Sequence, residues 1–285
     1  MIIHHYTSTE GLLGMLSFKK LWATQSEYLN DKSEYIYAKD VILETIRGLN
    51  DINVSKHKDI FEVCLEQIYK IYDIYTCSFS KNPDILSQWR GYCPNDGGFC
   101  IGFEVDELSK NNEGSFFECI YDYEEQKKEI AKIANVFCSN VEKITAGIKL
   151  NFTDSWEDIF KKIEIKPYSK NTTGNHLDLE KNHIFIRYEL AQLSARIKNP
   201  NFIEESEFRY IYISAKNEHE NIKIRSRNSL LIPYIELGFG SDAIKQVIIG
   251  PSVNKSHNSK PLELLKKQLC LDFEISESNI PFKNW

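Results

Sequence analysis

The chain carries the segment Tyr75-Thr-Cys-Ser-Phe-Ser80, whose β-branched and aromatic residues predict a strand. The turn-forming pair Asn82-Pro83 follows this strand and ends it. Similar patterns predict further strands at residues 2–6, 21–24, 99–103, 116–121, 208–213, 222–224, 231–235 and 247–249. Strands are therefore expected toward both ends of the sequence, around a middle part of different character.

That middle part, residues 124–200, shows mainly helical periodicity. Shorter helices are predicted after Ser8 or Thr9, which can act as an N-cap, and between Asp31 and Arg47. No linker rich in Gly, Pro or Ser divides the chain, and no internal repeat is visible. The sequence therefore predicts a single α+β domain over residues 1–285, with a mainly helical insertion at about 124–200.

The composition excludes several classes of protein. With 285 residues, of which 42% are hydrophobic, the chain can bury a real core and is not a disordered or collagen-like protein. A net charge of −6 argues against binding nucleic acid by bulk positive charge. The chain has no apolar run long enough to span a bilayer, no signal-peptide pattern and no Cys-x-x-Cys pair, so we expect a cytoplasmic protein with reduced thiols.

The first candidate site segment is His4-His5-Tyr6-Thr7-Ser8, at a predicted junction of a strand and a helix. Strand alternation places His4 and Tyr6 on one face and His5 and Thr7 on the other. Imidazoles and hydroxyls in this position can bind a polar ligand, or they can form an exposed strand end. The second segment, Asn30-Asp31 with Glu34, is explained by a capping box at the start of a helix.

The third candidate segment joins Ser78-Phe79-Ser80 to residues 86–92. In it, Trp89, Arg90 and Tyr92 combine aromatic surface with a fixed cation, which suits a flat heteroaromatic ring that carries phosphates. The alternative is a tryptophan in the core, with the arginine paired to a carboxylate.

The fourth segment contains Glu205 and Glu207 at the start of a predicted strand. Two residues apart on one strand face, they suit stabilisation of a developing cation together with activation of a hydroxyl group. The alternative is a solvated acidic loop.

No metal site is predicted, because His183 has no ligand at His-x-x-x-His spacing. The absence of Walker, Gly-x-Gly-x-x-Gly and Gly-x-Ser-x-Gly patterns disfavours P-loop, Rossmann and α/β-hydrolase enzymes.

In order and spacing, these segments resemble the bacterial family of domain of unknown function 2971 (DUF2971). The matching segments are His5-Tyr6-Thr7-Ser8 with Gly11-Leu12, Leu21–Thr24, Leu29–Asp31 with Glu34, Cys77–Ser80, Leu86–Tyr92, Gly98–Phe103, Glu205–Arg209 and Val247–Pro251. They extend over nearly the whole chain.

A more distant resemblance is to ADP-ribosyltransferases of the His-Tyr-Glu type, because His5-Tyr6-Thr7-Ser8 with Gly11-Leu12 is similar to their first motif. It implies a split or mixed β-sheet core with NAD as substrate and no metal. In the NAD site that it implies, His5 (or His4) binds a ribose, with Tyr6 and Thr7 beside it. Tyr92 or Trp89 would stack on the nicotinamide, and Arg90 would bind the pyrophosphate. The second motif of these enzymes would correspond to Ser80, Ser87 or Tyr92.

The same resemblance implies that Glu207 is the catalytic carboxylate and that Glu205 activates the acceptor. We therefore expect an NAD-dependent ADP-ribosyltransferase or NAD hydrolase, acting as a toxin-like or phage-defence effector on a protein or nucleic acid. A neutralising antitoxin or a defence-system protein would be its partner, and no membrane is involved. The alternative is a non-catalytic module that senses a nucleotide or binds a partner. A metal-dependent nuclease is a third hypothesis, but the sequence shows no carboxylate cluster for it.

Overall fold

A computed structural model of the chain describes residues 1–29, 33–50, 61–62, 65–66, 68, 70–94, 97–145, 188–215, 220–227, 229–252 and 255–281. Within them, the strands are β1 (Ile2–Thr7), β2 (Lys20–Gln25), β3 (Tyr72–Ser80), β4 (Phe99–Glu104), β5 (Ser115–Glu118), β6 (Glu207–Ala215), β7 (Lys223–Arg227), β8 (Leu230–Gly238), β9 (Ile244–Ile249) and β10 (Glu274–Glu277). The helices are α1 (Thr9–Phe18), α2 (Ser33–Gly48), α3 (Leu86–Tyr92), α4 (Val105–Ser109), α5 (Tyr123–Thr145) and α6 (Lys255–Gln268), and residues 188–194 are also helical.

The described strands form one open, mostly antiparallel sheet in the order β10-β9-β4-β1-β3-β2-β8-β7. A further strand, β6, pairs with β3 along its whole length, and β5 pairs with β6. Of the described pairings, the one between β9 and β10 is parallel. The chain is therefore a mixed α/β protein, and the strands predicted at both ends of the sequence are confirmed.

The strand β3 divides the sheet into two arms. One edge of β3 pairs with β6, whereas the other edge is shared between β1, which meets it at Ser80, and β2, which meets it at Tyr75 and Thr76. Between these two contacts, β1 and β2 separate. Helix α1, which connects β1 to β2, lines the opening that results.

The two faces of the sheet have separate cores. One face packs Leu12 and Leu16 of α1 against Phe79 and Phe103. On the other face, helices α2 and α5 and the helical residues 188–194 pack on β6 and on the end of β3, around Ile211. These layers hold the two arms of the sheet in place, so that the opening beside β3 has rigid walls.

The start of α1 follows the local signal in the sequence. Ser8 is the N-cap of α1, and its Oγ accepts a hydrogen bond of 3.1 Å from the Gly11 N–H, as predicted. The predicted caps Asn30 and Asp31, and residues 146–187 of the predicted insertion, lie outside the described residues, so the extent of the insertion stays a prediction. None of the described helices has both the length and the apolar character that crossing a bilayer requires.

Candidate functional site

A cleft with a volume of about 1030 Å³ opens where β1 and β2 separate beside β3. It is lined by all three strands, by α1 and α3, by the ends of β6 and β7, and by the 3₁₀ helix Pro200–Glu205. His5, Tyr92, Glu205 and Glu207, which are distant in the sequence, all line it. These four sequence-predicted candidates therefore meet in one place.

His5 lies in the gap between β1 and β3. Its ring packs against Phe79, with 5.5 Å between the ring centroids, and its Nδ1 lies 3.0 Å from the carbonyl oxygen of Ser78. Since a carbonyl oxygen only accepts, Nδ1 carries the proton and donates it. Burial lowers the pKa of His5 and outweighs the hydrogen bond to Ser78, so the ring is neutral at pH 7. Its Nε2 is then a hydrogen-bond acceptor, as a ligand hydroxyl requires.

His4, the alternative to His5, lies on the opposite face of β1. Its side chain is buried, and its Nε2 lies 3.2 Å from Nε2 of Gln246. Burial lowers the pKa of His4 as well. His4 also lines the cleft and is opposite Ser80 in the pairing of β1 with β3, so both histidines border the cleft from different faces of β1.

At the β6 end of the cleft, Lys198 is surrounded by three carboxylates. Its Nζ lies 3.0 Å from Glu34 and 2.5 Å from Glu205, and it also donates to Glu207. Burial opposes the charge on Lys198, but Glu207 and Glu34 outweigh it and raise the pKa of the ammonium group. Because an ammonium group has three N–H donors, these three carboxylates can use all of them.

Glu207 is fully engaged within this group. Its Oε1 accepts a 2.7 Å hydrogen bond from Arg209, and its Oε2 accepts from Arg209 at 2.9 Å and from Lys198. Burial acts to raise the pKa of the Glu207 carboxyl, but the charges of Arg209 and Lys198 outweigh it and lower that pKa to about 2. Glu207 is therefore a carboxylate at all ordinary pH values, in a bidentate pair with arginine.

Glu205 is placed differently from the prediction. It is not on a strand face with Glu207: it ends the 3₁₀ helix, and Ser206 then takes a left-handed conformation with φ of 44° before β6 begins. This turn brings both carboxylates onto Lys198. Oε2 of Glu205 accepts from Lys198, and within the described residues no hydrogen bond to its Oε1 is formed. Burial raises the pKa of Glu205 in spite of the lysine.

Tyr92 reaches the same end of the cleft from α3. Ser87, Gln88, Gly91 and Tyr92 form the face of this helix that lines the cleft. Tyr92 is 44% exposed, and its desolvation in the cleft, followed by the charges of Glu205 and Glu207, raises the pKa of its hydroxyl to about 12. It is a protonated aromatic residue that stands close to the carboxylates.

Ser80 and Thr7 line the cleft as well, but the Ser80 hydroxyl has a structural partner. Ser80 Oγ donates to the Glu205 carbonyl oxygen at 2.8 Å and accepts from the Asn82 N–H at 3.1 Å. It therefore positions the backbone of Glu205. Thr7 closes β1 and packs against Gly11, where the position of a Cβ would lie 2.0 Å from the Thr7 Oγ1.

The remaining predicted residues serve the core or lie outside the cleft. The Tyr6 hydroxyl donates to the Asn82 carbonyl oxygen and accepts from the Ile85 N–H, although Tyr6 also borders the cleft. Trp89 is buried against Tyr6, and its Nε1 donates to Asp84 at 2.7 Å. Arg90 is exposed on the outer side of α3. Neither Trp89 nor Arg90 is among the residues that line the cleft.

Three further charged residues line the cleft without being predicted to do so by the sequence: Glu34, Lys198 and Arg209. Arg209 belongs to a segment that the family resemblance covers. The sequence predicts that Glu34 caps a helix, whereas in the structure its carboxylate pairs with Arg209 at 3.0 Å and with Lys198. Lys198 lies in an unremarkable polar segment, and no local signal could have identified it. In the part of the chain that the structure describes, no group of three His, Cys, Asp or Glu side chains is arranged to hold a metal ion.

The profile of the family described as "Protein of unknown function (DUF2971)" matches residues 88–210, which include Tyr92, Glu205 and Glu207 but not β1. This match supports the DUF2971 resemblance seen in the sequence. Neither a curated protein nor a solved structure matches the chain.

Proposed function

We propose that the cleft binds NAD and cleaves its nicotinamide–ribose bond, transferring ADP-ribose to water or to a macromolecular acceptor. The observation that supports this proposal most is the convergence of His5, Tyr92 and Glu205 on one cleft beside a divided sheet. A split sheet is what the resemblance to ADP-ribosyltransferases implies. The volume of about 1030 Å³ is at the upper end for ligand pockets and suits a dinucleotide.

In this proposal the neutral His5 accepts a hydrogen bond from a ribose hydroxyl, and Tyr92 packs against the nicotinamide. The bond between the ribose C1 and the nicotinamide nitrogen breaks, and nicotinamide leaves with the electron pair. The ribose then carries an oxocarbenium-like charge. The carboxylate group formed by Glu34, Glu205 and Glu207 with Lys198 and Arg209 has a net charge of −1, which stabilises this cation.

Within that group, we assign substrate contact to Glu205, because its Oε1 is not held by a described protein group. When water or an acceptor hydroxyl attacks the ribose C1, Glu205 accepts the proton that the nucleophile loses. Its raised pKa favours this role, since a more basic carboxylate takes a proton more readily. Glu207, whose oxygens are occupied by Arg209 and Lys198, orients these cations and thereby Glu205.

Release of nicotinamide from NAD by the full chain tests the proposal directly. We expect Glu205→Gln to slow the release by about 100-fold or more, because the group loses the net negative charge that stabilises the ribose cation as nicotinamide leaves. The matched control is Glu204→Gln, an exposed neighbour on the same 3₁₀ helix, which should stay within about two-fold of the original protein. If the amount of free ADP-ribose equals the amount of nicotinamide released, the protein is a hydrolase. If the amount of free ADP-ribose is smaller, ADP-ribose has been transferred to an acceptor. An unchanged rate in the Glu205→Gln variant would refute the assignment of Glu205.

A second function, nucleotide binding without catalysis, is favoured by the hydrogen bonds that occupy both carboxylate oxygens of Glu207. A carboxylate whose oxygens are all held by Arg209 and Lys198 is suited to building a rigid pocket, and this favours a nucleotide-binding module without catalysis. Such a module would bind ADP-ribose in calorimetry without releasing nicotinamide from NAD. Its affinity would be the same in the Glu205→Gln and Glu204→Gln variants.

A further inference from the structure

The end of the cleft opposite Glu205 is built by the arm β2-β8-β7. Arg225 on β7 reaches across β8 to β2, where its NH2 donates to Thr24 Oγ1 at 3.1 Å. Its guanidinium group lies over the ring of Trp22, 5.2 Å from the centroid, and Trp22 in turn packs against Tyr234 at 5.0 Å. The side chain of Arg225 is thus held in one orientation within the cleft lining.

Arg225 carries a hydrogen-bond donor that the described part of the protein does not use. Its Nε is buried and has no partner, and no carboxylate among the described residues forms an ion pair with it. A buried N–H group of a cation costs free energy unless an acceptor is present. The carboxylate that lines this end of the cleft, Glu236, is engaged by Lys20 at 2.5 Å and by Lys223 at 2.9 Å.

A second arginine adds to the positive charge. Arg227, two residues further along β7, also lines the cleft. Burial and the charge of Arg227 lower the pKa of Arg225, so the two guanidinium groups act on each other as like charges. The opposite end of the cleft is acidic, so the lining is divided by charge.

The two ends lie on the same face of the sheet. Thr24, which holds Arg225, is opposite Thr76 on β3, and Ser80 on β3 is opposite Glu207. Thr76 and Ser80 are four residues apart, which corresponds to about 13 Å along a strand. A ligand of nucleotide size can therefore contact both ends at once.

We infer that Arg225 and Arg227 form a phosphate-binding subsite at this end of the cleft. A phosphate oxygen supplies the acceptor that the buried Nε of Arg225 lacks, and planar guanidinium groups match phosphate in geometry and charge. This subsite, and not the exposed Arg90 of the sequence-based prediction, would hold the phosphates of a nucleotide. The anion site is inferred independently of the proposed function. Only the assignment of its phosphate to a nucleotide rests on that function.

Calorimetric titration of the full chain with inorganic pyrophosphate, AMP and adenosine tests the subsite. We expect Arg225→Gln to weaken the binding of pyrophosphate and AMP by roughly ten-fold or more, because charge-assisted hydrogen bonds are lost. Lys223→Gln, which removes a cation from the same strand but outside the cleft lining, should change the affinities by less than about two-fold. Adenosine, which has no phosphate, should bind both variants alike.

Thermal unfolding separates loss of the subsite from loss of the fold. Arg225 has no acidic partner among the described residues, and the variant removes one hydrogen bond to Thr24 and one ring contact with Trp22, so Arg225→Gln should lower Tm by no more than about 4 °C. Pyrophosphate binding of equal strength in the original protein and in the Arg225→Gln variant would overturn the inference. So would the absence of pyrophosphate binding by the original protein.

The same variant identifies the source of the phosphate. A higher KM for NAD in Arg225→Gln, with kcat kept, assigns the subsite to the pyrophosphate of NAD. An unchanged KM, together with weaker pyrophosphate binding, assigns it to the phosphate of a second ligand. If NAD is not cleaved at all, the proposed function fails, while the pyrophosphate titration still decides the subsite.

Discussion

At the scale of single residues, the site depends on ion pairs that are shielded from water. Glu207 is 4% exposed and is held by Arg209 and Lys198, which are also buried. Such a pair stabilises a fold only while both charges are present, since removal of one partner leaves the other desolvated. The stability of the protein is therefore expected to depend on the ionisation of this one carboxyl group.

We expect Glu207→Gln to lower the free energy of unfolding at pH 7 by about 3–5 kcal/mol, because Arg209 and Lys198 lose their buried counter-charge. The pKa of Glu207 is lowered in the folded state from its usual 4.5 to about 2. Its stabilising contribution is thus present above pH 4.5 and is lost as the pH falls toward 2. Urea unfolding of the original protein and of the variant between pH 7 and pH 3 measures this. The difference should shrink below pH 4.5, and a difference independent of pH would contradict the assignment.

At the scale of elements, the position of α3 decides which of its side chains enter the cleft. Trp89 faces inward, where its indole donates to Asp84 and packs beneath Gly250 at the end of β9. With this side of the helix fixed, Tyr92 is turned toward the cleft and Arg90 toward solvent. The helix therefore presents one aromatic residue to a ligand and uses the other as an anchor.

Two glycine substitutions test this anchoring. A Cβ at Gly250 would lie 2.7 Å from the Trp89 ring and 2.9 Å from the Gly98 carbonyl oxygen, so Gly250→Ala should lower the free energy of unfolding by about 1–3 kcal/mol. A Cβ at Gly91 meets no atom within 4 Å, and Gly91→Ala in helix α3 should raise it by about 0.5–1 kcal/mol. Urea unfolding followed by tryptophan fluorescence measures both changes. Equal effects of the two substitutions would show that Trp89 is not fixed by Gly250.

At the scale of the whole molecule, the cleft lies between two arms of a sheet that meet along β3. A ligand that fills the cleft, as the proposed function requires, would contact β1, β2 and the 3₁₀ helix before β6 at the same time. Such a ligand stabilises the folded chain as a unit, because it binds the assembled cleft and not the unfolded chain.

ADP-ribose should therefore raise Tm, with a gain of about 2.7 kcal/mol in stability when its concentration is 100 times the Kd. In hydrogen exchange, the added protection should concentrate at residues 4–7, 20–22, 24 and 76–80, which line the cleft. The outer strand β10, which does not line the cleft, serves as the internal control. Uniform protection, or none, would show that ADP-ribose does not bind between the arms.

The sequence by itself determined the local structure of this protein. Strand periodicity at Tyr75–Ser80 and the cap at Ser8 depend on neighbouring residues, and both are present in the structure. His5, Tyr92 and Glu205, which line the cleft, were also among the candidates, although the sequence left His4 as the alternative to His5 and Trp89 as the alternative to Tyr92. The sequence could not show which way Trp89 points, since the period of a seven-residue helix does not say which side of the helix meets the core.

Only the tertiary structure decided how these residues act. The Ser80 hydroxyl and the Glu205 carbonyl group are 125 residues apart in the chain, and the register of β3 with β6 brings them together. The same folding surrounds Lys198 with carboxylates and leaves the Nε of Arg225 without a partner among the described residues. Hydrogen bonds and ion pairs fall off within a few ångströms, so they are set by distance in space, which the order of residues along the chain does not contain.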